Sequence, residues 1–481
     1  MSSILGSFIR RNVSKVVLVP QFEPKILDDI KNNIHKPRHH PGRRSQEVIL
    51  APKHVEEAIK IVISKGHTTN LKEDGDVMRK YLKARQLPPE KYEIVQNMHK
   101  FKEEFMAKIG LDDVDIEDTY NEEDIVILDR GVRNQVNKLL KQRTYNWEPI
   151  NFTDYIARVY LWNRFVPEYA VLLKVLEEIQ KQDPDFKPHS LFDFGSGVGT
   201  AVWATYSYWS TQINEFYCVD TSSQMLDLNS LIIQGGRPNK LPLIKNVTYR
   251  QFLPSSANLS AKYSLVISAY SLLELGFQRQ RLETIANLWE KTEDFLIIVE
   301  HGSKSGYQVV QEARDYILSS NVKRPGSVHV FAPCPHEALC PKQSFAHHCN
   351  FDVKYENLTY SRGARDIRTE TFCYVILRRG ERKVTPPWPR IVRPVLVRTK
   401  HSVCKLCTPE GNIEQINFTN KKHGMIEHRC AKGSKWGDLL PITIHKEEVT
   451  VDDDGDNIVS DENENTDELS QQNSSVNNTQ R

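Results

Sequence analysis

Hydrophobic positions along this chain change their period twice. Up to residue 143 they recur at helical spacing, which predicts a short helical stretch from Asp28 to Ile34 and helices over 52–65, 76–85, 89–109 and 131–143. A longer helix, Asp154 to Lys181, is expected to end before the polar run Gln182-Asp183-Pro184-Asp185. The pattern then alternates. Strands at 190–195, 215–220, 247–253, 263–270 and 295–301 are interleaved with helices at 199–209, 223–233, 278–290 and 306–319, and two later strands, 352–360 and 370–379, are close enough to pair antiparallel. Such alternation predicts an α/β fold with a mostly parallel, doubly wound sheet. Beyond Arg379 the period falls to two, as in Ile391 to Val397 and Ile413 to Phe418, so a small module of short strands follows Pro386-Pro387-Trp388-Pro389-Arg390.

Charge divides the chain differently. The net charge of +2 hides a tail, residues 447–481, that carries −10, so the remaining body carries +12. The tail is rich in Asn and Ser and is expected not to fold. A basic body favours a polyanion, RNA above all, and the loop His35-Lys36-Pro37-Arg38-His39-His40-Pro41-Gly42-Arg43-Arg44 is expected to offer its cations to phosphates. Residues 1–22 contain Arg10, Arg11 and Lys15 and no acid, as a cleaved mitochondrial presequence would. No apolar run approaches the roughly 20 residues of a membrane span, so no membrane partner is expected and a soluble monomer is. The units anticipated are therefore the presequence (1–22), a helical N-terminal domain (23–150), the sheet domain with a cysteine-bearing insertion at 325–350 (151–380), a small β-rich module (381–446) and the acidic tail (447–481).

Chemistry concentrates at two places. The string Leu191-Phe192-Asp193-Phe194-Gly195-Ser196-Gly197-Val198-Gly199-Thr200 runs a strand through three alternate glycines into a helix. Glycine permits the tight turn and a close ligand approach, and the helix N-terminus offers free N–H groups. With Asp193 ahead of the glycines, the string resembles motif I of class I S-adenosylmethionine-dependent methyltransferases, whose fold is Rossmann-like. The next strand ends in Asp220, where acids of such folds take ribose hydroxyls. Expected cofactor-binding residues are Asp193, Gly195, Gly197, Gly199 and Asp220. No catalytic residue is assigned: after the fourth strand the chain reads Ser268-Ala269-Tyr270-Ser271-Leu272-Leu273-Glu274-Leu275, without the Asn/Asp-Pro-Pro-aromatic platform of many amino-methylating relatives. Glu300 and His301, at the end of the fifth strand, are the remaining acid/base pair.

Seven of the eight cysteines fall between Cys334 and Cys430. Cys334-x5-Cys340-x8-Cys349 forms one group, and Cys404-x2-Cys407 lies in the small module, with Cys430 further on. Cys218 and Cys373 sit inside apolar strands. In a reducing compartment clustered thiols point to metal, and four thiolates suit either tetrahedral zinc or an iron–sulfur cluster. Spacing leaves both open.

The strings Phe192-Asp193-Phe194-Gly195-Ser196-Gly197, Val330-Phe331-Ala332-Pro333-Cys334-Pro335-His336-Glu337, Trp388-Pro389-Arg390 and Ser434-Lys435-Trp436-Gly437-Asp438-Leu439-Leu440-Pro441, together with the Cys404/Cys407 pair, resemble the mitochondrial methyltransferase-like protein 17 family. The resemblance implies an assembly factor of the mitochondrial small ribosomal subunit, located in the matrix. It also implies a [4Fe-4S] cluster on Cys334, Cys340, Cys349 and one thiol of the 404/407 pair, Cys407 matching the family's fourth ligand, with His347 or His348 as substitutes for Cys349. S-adenosylmethionine binding is implied to persist without methyl transfer. The competing readings are an active ribosomal RNA methyltransferase and a zinc-stapled RNA-binding protein. In the leading reading Arg38, Arg43, Arg44, Arg390, Arg393 and Arg398 meet RNA phosphates.

Overall fold

The computed structural model describes residues 13–44, 47–66, 70–111, 121–143, 147–254, 261–319, 327–344, 347–359, 365–383 and 387–451. Strand β1 (Val13–Phe22) leads into helix α1 (Pro24–Lys31), whose Ile26 and Ile30, one turn apart, are buried. Composition assigns β1 to a presequence helix. Its β-branched valines are instead paired along ten residues with β14 (Ile442–Val451), Val13 opposite Val451 and Phe22 opposite Ile442. Residues 1–12 of the expected presequence and 452–481 of the expected tail lie outside the described residues, while Glu447–Val451 belong to β14 rather than to the tail.

Four helices follow: α2 (Lys53–Ser64), α3 (Leu71–Ala84), α4 (Lys91–Lys108) and α5 (Glu122–Arg143). Periodicity groups them with residues 23–50 in one helical domain, and the packing separates them. Ile26 and Ile30 join the core of the C-terminal module. Val55, Ile59, Val62 and Ile63 of α2 and Leu71 of α3 join the core beneath the main sheet. Only α4 and α5 form a pair of their own, around Phe101, Val132 and Val136.

Helix α6 (Asp154–Gln182) starts on Thr153, whose side chain accepts the N–H of Ile156, and is buried along much of its length against the sheet. The alternating region then gives β2 (Ser190–Phe194), α7 (Thr200–Trp209), β3 (Glu215–Val219), α8 (Ser223–Ile233), β4 (Val247–Arg250), β5 (Tyr263–Ala269), α9 (Gln278–Glu290), β6 (Thr292–His301) and α10 (Lys304–Leu318). It continues through β7 (Val328–Ala332), β8 (Phe351–Glu356) and β9 (Ile367–Arg379). The sheet order is β4-β3-β2-β5-β6-β9-β7, with β8 also on β9. Strands β2 to β6 run parallel, and β9 is antiparallel to β6. That order and the reversed β9 are the class I methyltransferase topology, and the switch point falls between β2 and β5, where ligands of open α/β sheets bind.

The two late strands pair antiparallel as expected, as β8 and β9, and an unforeseen strand, β7, joins them at the edge. β7 pairs with Ile376–Arg379 of β9 and β8 pairs with Ile367–Phe372, so the two lie end to end along one side of the same strand. Residues 333–344 leave that edge and residues 347–350 lead back to it. The C-terminal module comprises β10 (Arg390–Ile391), β11 (Leu396–Val397), β12 (His401–Cys407), β13 (Ile413–Thr419), α11 (Asn420–His423) and α12 (Met425–Gly433), with Phe22, Ile391, Leu406, Phe418 and Leu440 in its core. Among the described residues no helix is long and apolar enough to cross a membrane.

Candidate functional site

Strand β2 carries Asp193 and Phe194 to the carboxyl end of the sheet, where the chain turns through Gly195, Gly197 and Gly199 at φ of +69°, +48° and +85°. A Cβ on Gly195 would lie 2.3 Å from that of Ser271, so backbone conformation and space both demand glycine. A Cβ on Gly197 would meet the end of the Met225 side chain at 3.3 Å and the Gly195 carbonyl at 3.9 Å, and Gly197 borders a cavity of about 630 Å³. Asp220 fastens this loop: one carboxylate oxygen accepts the Gly197 N–H at 2.9 Å and the other the Ser222 N–H at 2.9 Å. Burial raises the Asp220 pKa and those two bonds oppose the rise. Burial, with Asp220 adding, pushes the Asp193 carboxyl up to about 8. One Asp193 oxygen is buried on this wall without a hydrogen-bond partner. Buried polar atoms of that kind call for a ligand. Asp193, Gly195, Gly197 and Asp220 thus share one cavity, whereas Gly199 stands behind its wall as the N-cap of α7.

The opposite wall occupies the place of a methyl-acceptor platform. Tyr270 sits at φ +57°, its ring 4.7 Å from that of His301 and beneath the Arg164 guanidinium at 5.5 Å. Arg164 is buried and pairs with Glu168 at 3.1 Å and Glu370 at 3.4 Å. Glu300 accepts the N–H groups of Leu272 and Leu273 at 2.9 and 3.2 Å, while burial raises its carboxyl to about 8. The end of α3 closes over this segment: Arg85 donates to Glu274 and to the Tyr81 hydroxyl, both at 2.6 Å, and the Trp147 indole donates to the Leu273 carbonyl at 3.3 Å. Glu300 is therefore a structural anchor for the 272–273 turn, and no sequence pattern announces the Arg164 and Arg85 networks around it.

The thiols converge from two parts of the chain. Cys334 and Cys340 lie on the excursion after β7, Cys349 lies just before β8, and Cys407 closes β12 opposite Arg390. Burial pushes Cys349 up to about 12, with Cys334 and Cys340 adding to the rise. Cys407 is raised by burial and then by Cys334, Cys349 and Cys340. These four therefore lie within one another's field. Cys404 does not: burial alone raises it to about 12, and it packs with Cys430, Ile416 and Phe418 in the module core. His348 is engaged with the Gly302 carbonyl at 2.9 Å and His347 is exposed, whereas His336, not foreseen, lies 3.3 Å from the Cys407 sulfur. Among the described residues no three His, Cys, Asp or Glu side chains are drawn together tightly enough for a single metal ion.

Cations surround the thiols. Lys342 is buried, its Nζ 3.4 Å from the Val392 carbonyl and in the field of Cys349, Cys340 and Cys407. Arg314 donates to the carbonyls of His336 and Ala338 at 3.1 and 2.7 Å, beside Cys334 and Cys340. Arg390 donates to the Pro333 carbonyl at 2.6 Å, to the Gly437 carbonyl at 2.8 Å and to Glu178 of α6 at 2.5 Å. Arg44 also reaches Glu178, at 3.0 Å, and Arg43 pairs with the buried Asp438 at 2.7 Å. Against the upward push of burial, Arg390 and Arg44 hold the Glu178 carboxyl down at about 2. Arg43, Arg44 and Arg390, expected on an RNA-facing surface, are instead bonded into this junction, because a buried carboxylate needs matched cations. Arg38 and Arg398 are exposed and Arg393 is half-buried.

The family described as mitochondrial small ribosomal subunit Rsm22 matches residues 154–441, from the first residue of α6 to the residue before β14. The human mitochondrial ribosome assembly protein METTL17 is 34% identical over 410 residues, which cover 84% of this chain and 86% of that protein. The mitochondrial ribosome assembly protein RSM22 of Saccharomyces cerevisiae is 22% identical, over 59% of this chain and 66% of its own. Among solved structures, a magnesium protoporphyrin IX methyltransferase from Synechocystis is 15% identical with a TM-score of 0.27, covering 53% of this chain and 99% of that one. A methyltransferase from Aquifex aeolicus is 15% identical with a TM-score of 0.29, covering 47% and 99%. Scores this low add nothing to the fold class, which stands on strand order and direction. On the extent of the family match and of the identity to the human relative, the chain belongs to the Rsm22 family.

Proposed function

We propose that the chain is a mitochondrial matrix protein that assists assembly of the small ribosomal subunit by gripping its RNA. It holds S-adenosylmethionine without transferring the methyl group, and a [4Fe-4S] cluster on Cys334, Cys340, Cys349 and Cys407 staples its C-terminal module to the methyltransferase-like domain. The assembly reading is carried by one observation, the 34% identity over most of both chains to a relative named as a mitochondrial ribosome assembly protein. Depletion followed by gradient sedimentation tests it. Small subunits should arrest unfinished while large subunits mature, and a normal small-subunit peak would overturn it.

The residues fit both groups. S-adenosylmethionine, when bound, supplies an electrophilic methyl and a cationic ammonium. The unpartnered Asp193 oxygen suits a donor of that kind, and the Asp220 carboxylate stands where ribose hydroxyls are accepted. A cluster would supply coordination between distant segments. Four thiols in one another's field, ringed by Lys342, Arg314 and Arg390, suit a thiolate-held centre of net negative charge, and the [4Fe-4S] reading among such centres comes from the family resemblance. Iron and sulfide analysis of anaerobically purified protein should give about four of each per chain. One zinc per chain would replace the cluster with the zinc-stapled reading.

Methyl transfer to ribosomal RNA is the second reading, favoured by the Tyr270 hydroxyl, buried without a partner on the cavity wall at a strained backbone position. Tritiated methyl incorporation into small-subunit RNA would establish it. Its absence, with cofactor binding retained in calorimetry, supports the non-catalytic reading.

A further inference from the structure

We infer that Lys36, Arg38, Arg429, Lys432 and Lys435 form one phosphate-binding face through which the C-terminal module meets RNA. The inference rests on the RNA-gripping reading above and assigns it a place. Arg429 and Lys432, three residues apart on α12, share its outer side, while His428, Cys430 and Ala431 turn inward and are buried. The turn Pro37–His39 lies against the end of that helix: a Cβ on Gly433 would be 2.9 Å from the Arg38 Cα. Arg43 locks the two segments together, donating to the carbonyls of Arg38 and, at 2.7 Å, of Gly433 while it pairs with Asp438. Segments almost 400 positions apart in sequence thereby present their cations side by side.

All five side chains are exposed, and among the described residues none has a carboxylate within ion-pair distance. Some exposed cations elsewhere, Arg133, Arg143 and Arg279 among them, are paired with Asp129, Glu104 and Glu283, and ones unpaired among the described residues, such as Lys72 and Lys80, sit singly on α3 rather than where two remote segments meet. The field of the Lys36–Lys435 face is thus left uncancelled. A favourable helix-end dipole accounts for Lys432 alone, at the last turn of α12, and not for the arrival of Lys36 and Arg38 from the other end of the chain. Exposed cations that no carboxylate holds in one orientation meet the phosphate backbone before base edges, so the face should bind RNA with little dependence on sequence.

The test is anisotropy of a labelled small-subunit RNA fragment with the full chain over a potassium chloride series. Arg429→Glu/Lys432→Glu/Lys435→Glu should weaken binding by at least about tenfold, and the log–log salt slope should become shallower by roughly 0.7–0.9 for each phosphate no longer neutralised. A charge-matched control, Lys72→Glu/Lys80→Glu on α3 with Lys100→Glu on α4, should weaken it much less. The milder Arg429→Gln/Lys432→Gln keeps the test decisive if the triple variant misfolds. Equal losses in control and face variants, or none in the face variants, would sink the assignment while leaving RNA binding intact. Failure of the unmodified chain to bind RNA would instead sink the underlying reading.

Discussion

Cys404 and Cys407 are three positions apart on one strand, so their side chains point to opposite faces of β12. One face is the module core and the other meets the cysteine excursion, which is why only Cys407 feels the remaining thiols. The spacing was legible in the sequence, but the choice between the two depended on which face of β12 is packed, a fact fixed by β13 and α12. Cys407→Ser should abolish iron incorporation, whereas Cys404→Ser should leave iron unchanged and lower the melting temperature; metal analysis and a thermal melt on each variant decide this. Gly197→Leu should block S-adenosylmethionine in calorimetry, since the new side chain has the cavity in front of it and the flexible end of Met225 beside it. Retained affinity would mean the cofactor lies elsewhere.

At the scale of elements, the glycine loop and the strands β2 to β6 were readable because local periodicity and turn chemistry agree there. Strand β7 was hidden: Val-His-Val-Phe-Ala is short, and its only strand partner among the described residues is the far end of β9. The Glu178 junction was hidden for a similar reason, since a glutamate on a long helix, an arginine of a remote loop and another on strand β10 show no pattern until they meet. Removing that one carboxylate strands Arg390 and Arg44 in a buried site, so Glu178→Gln should cost about 3–5 kcal/mol in denaturant unfolding. The sign with pH follows from the depressed pKa. Stability from Glu178 is complete above its ordinary value of 4.5 and drains away as pH falls toward about 2. The Gln variant should lack that acid-sensitive component, and pH-dependent unfolding of the two proteins compares them directly. Because this junction also joins α6, the 43–44 loop and the module, iron depletion should loosen the module together with the cysteine excursion without releasing it from α6; hydrogen exchange would locate the change.

For the whole molecule, the principal revision concerns the ends. Composition assigns residues 1–22 to a removable leader, and the pairing of β1 with β14 makes Val13–Phe22 part of the folded module. N-terminal sequencing of protein recovered from mitochondria should therefore place any cut before Val13, and a cut beyond Phe22 would remove a strand and should destabilise the module. Deleting residues 452–481 should leave assembly unchanged, because β14 ends at Val451; a strong assembly defect would give the acidic segment a role.

The ribbon of β1 and β14 has a consequence in time. Translation proceeds from the amino end, so Val13–Phe22 emerge first and their partner Ile442–Val451 is made more than 400 residues later. Through that interval a valine-rich edge waits uncovered, the exposure that invites misplaced strand pairing. Newborn chains should depend on chaperone shielding of this segment until synthesis is complete.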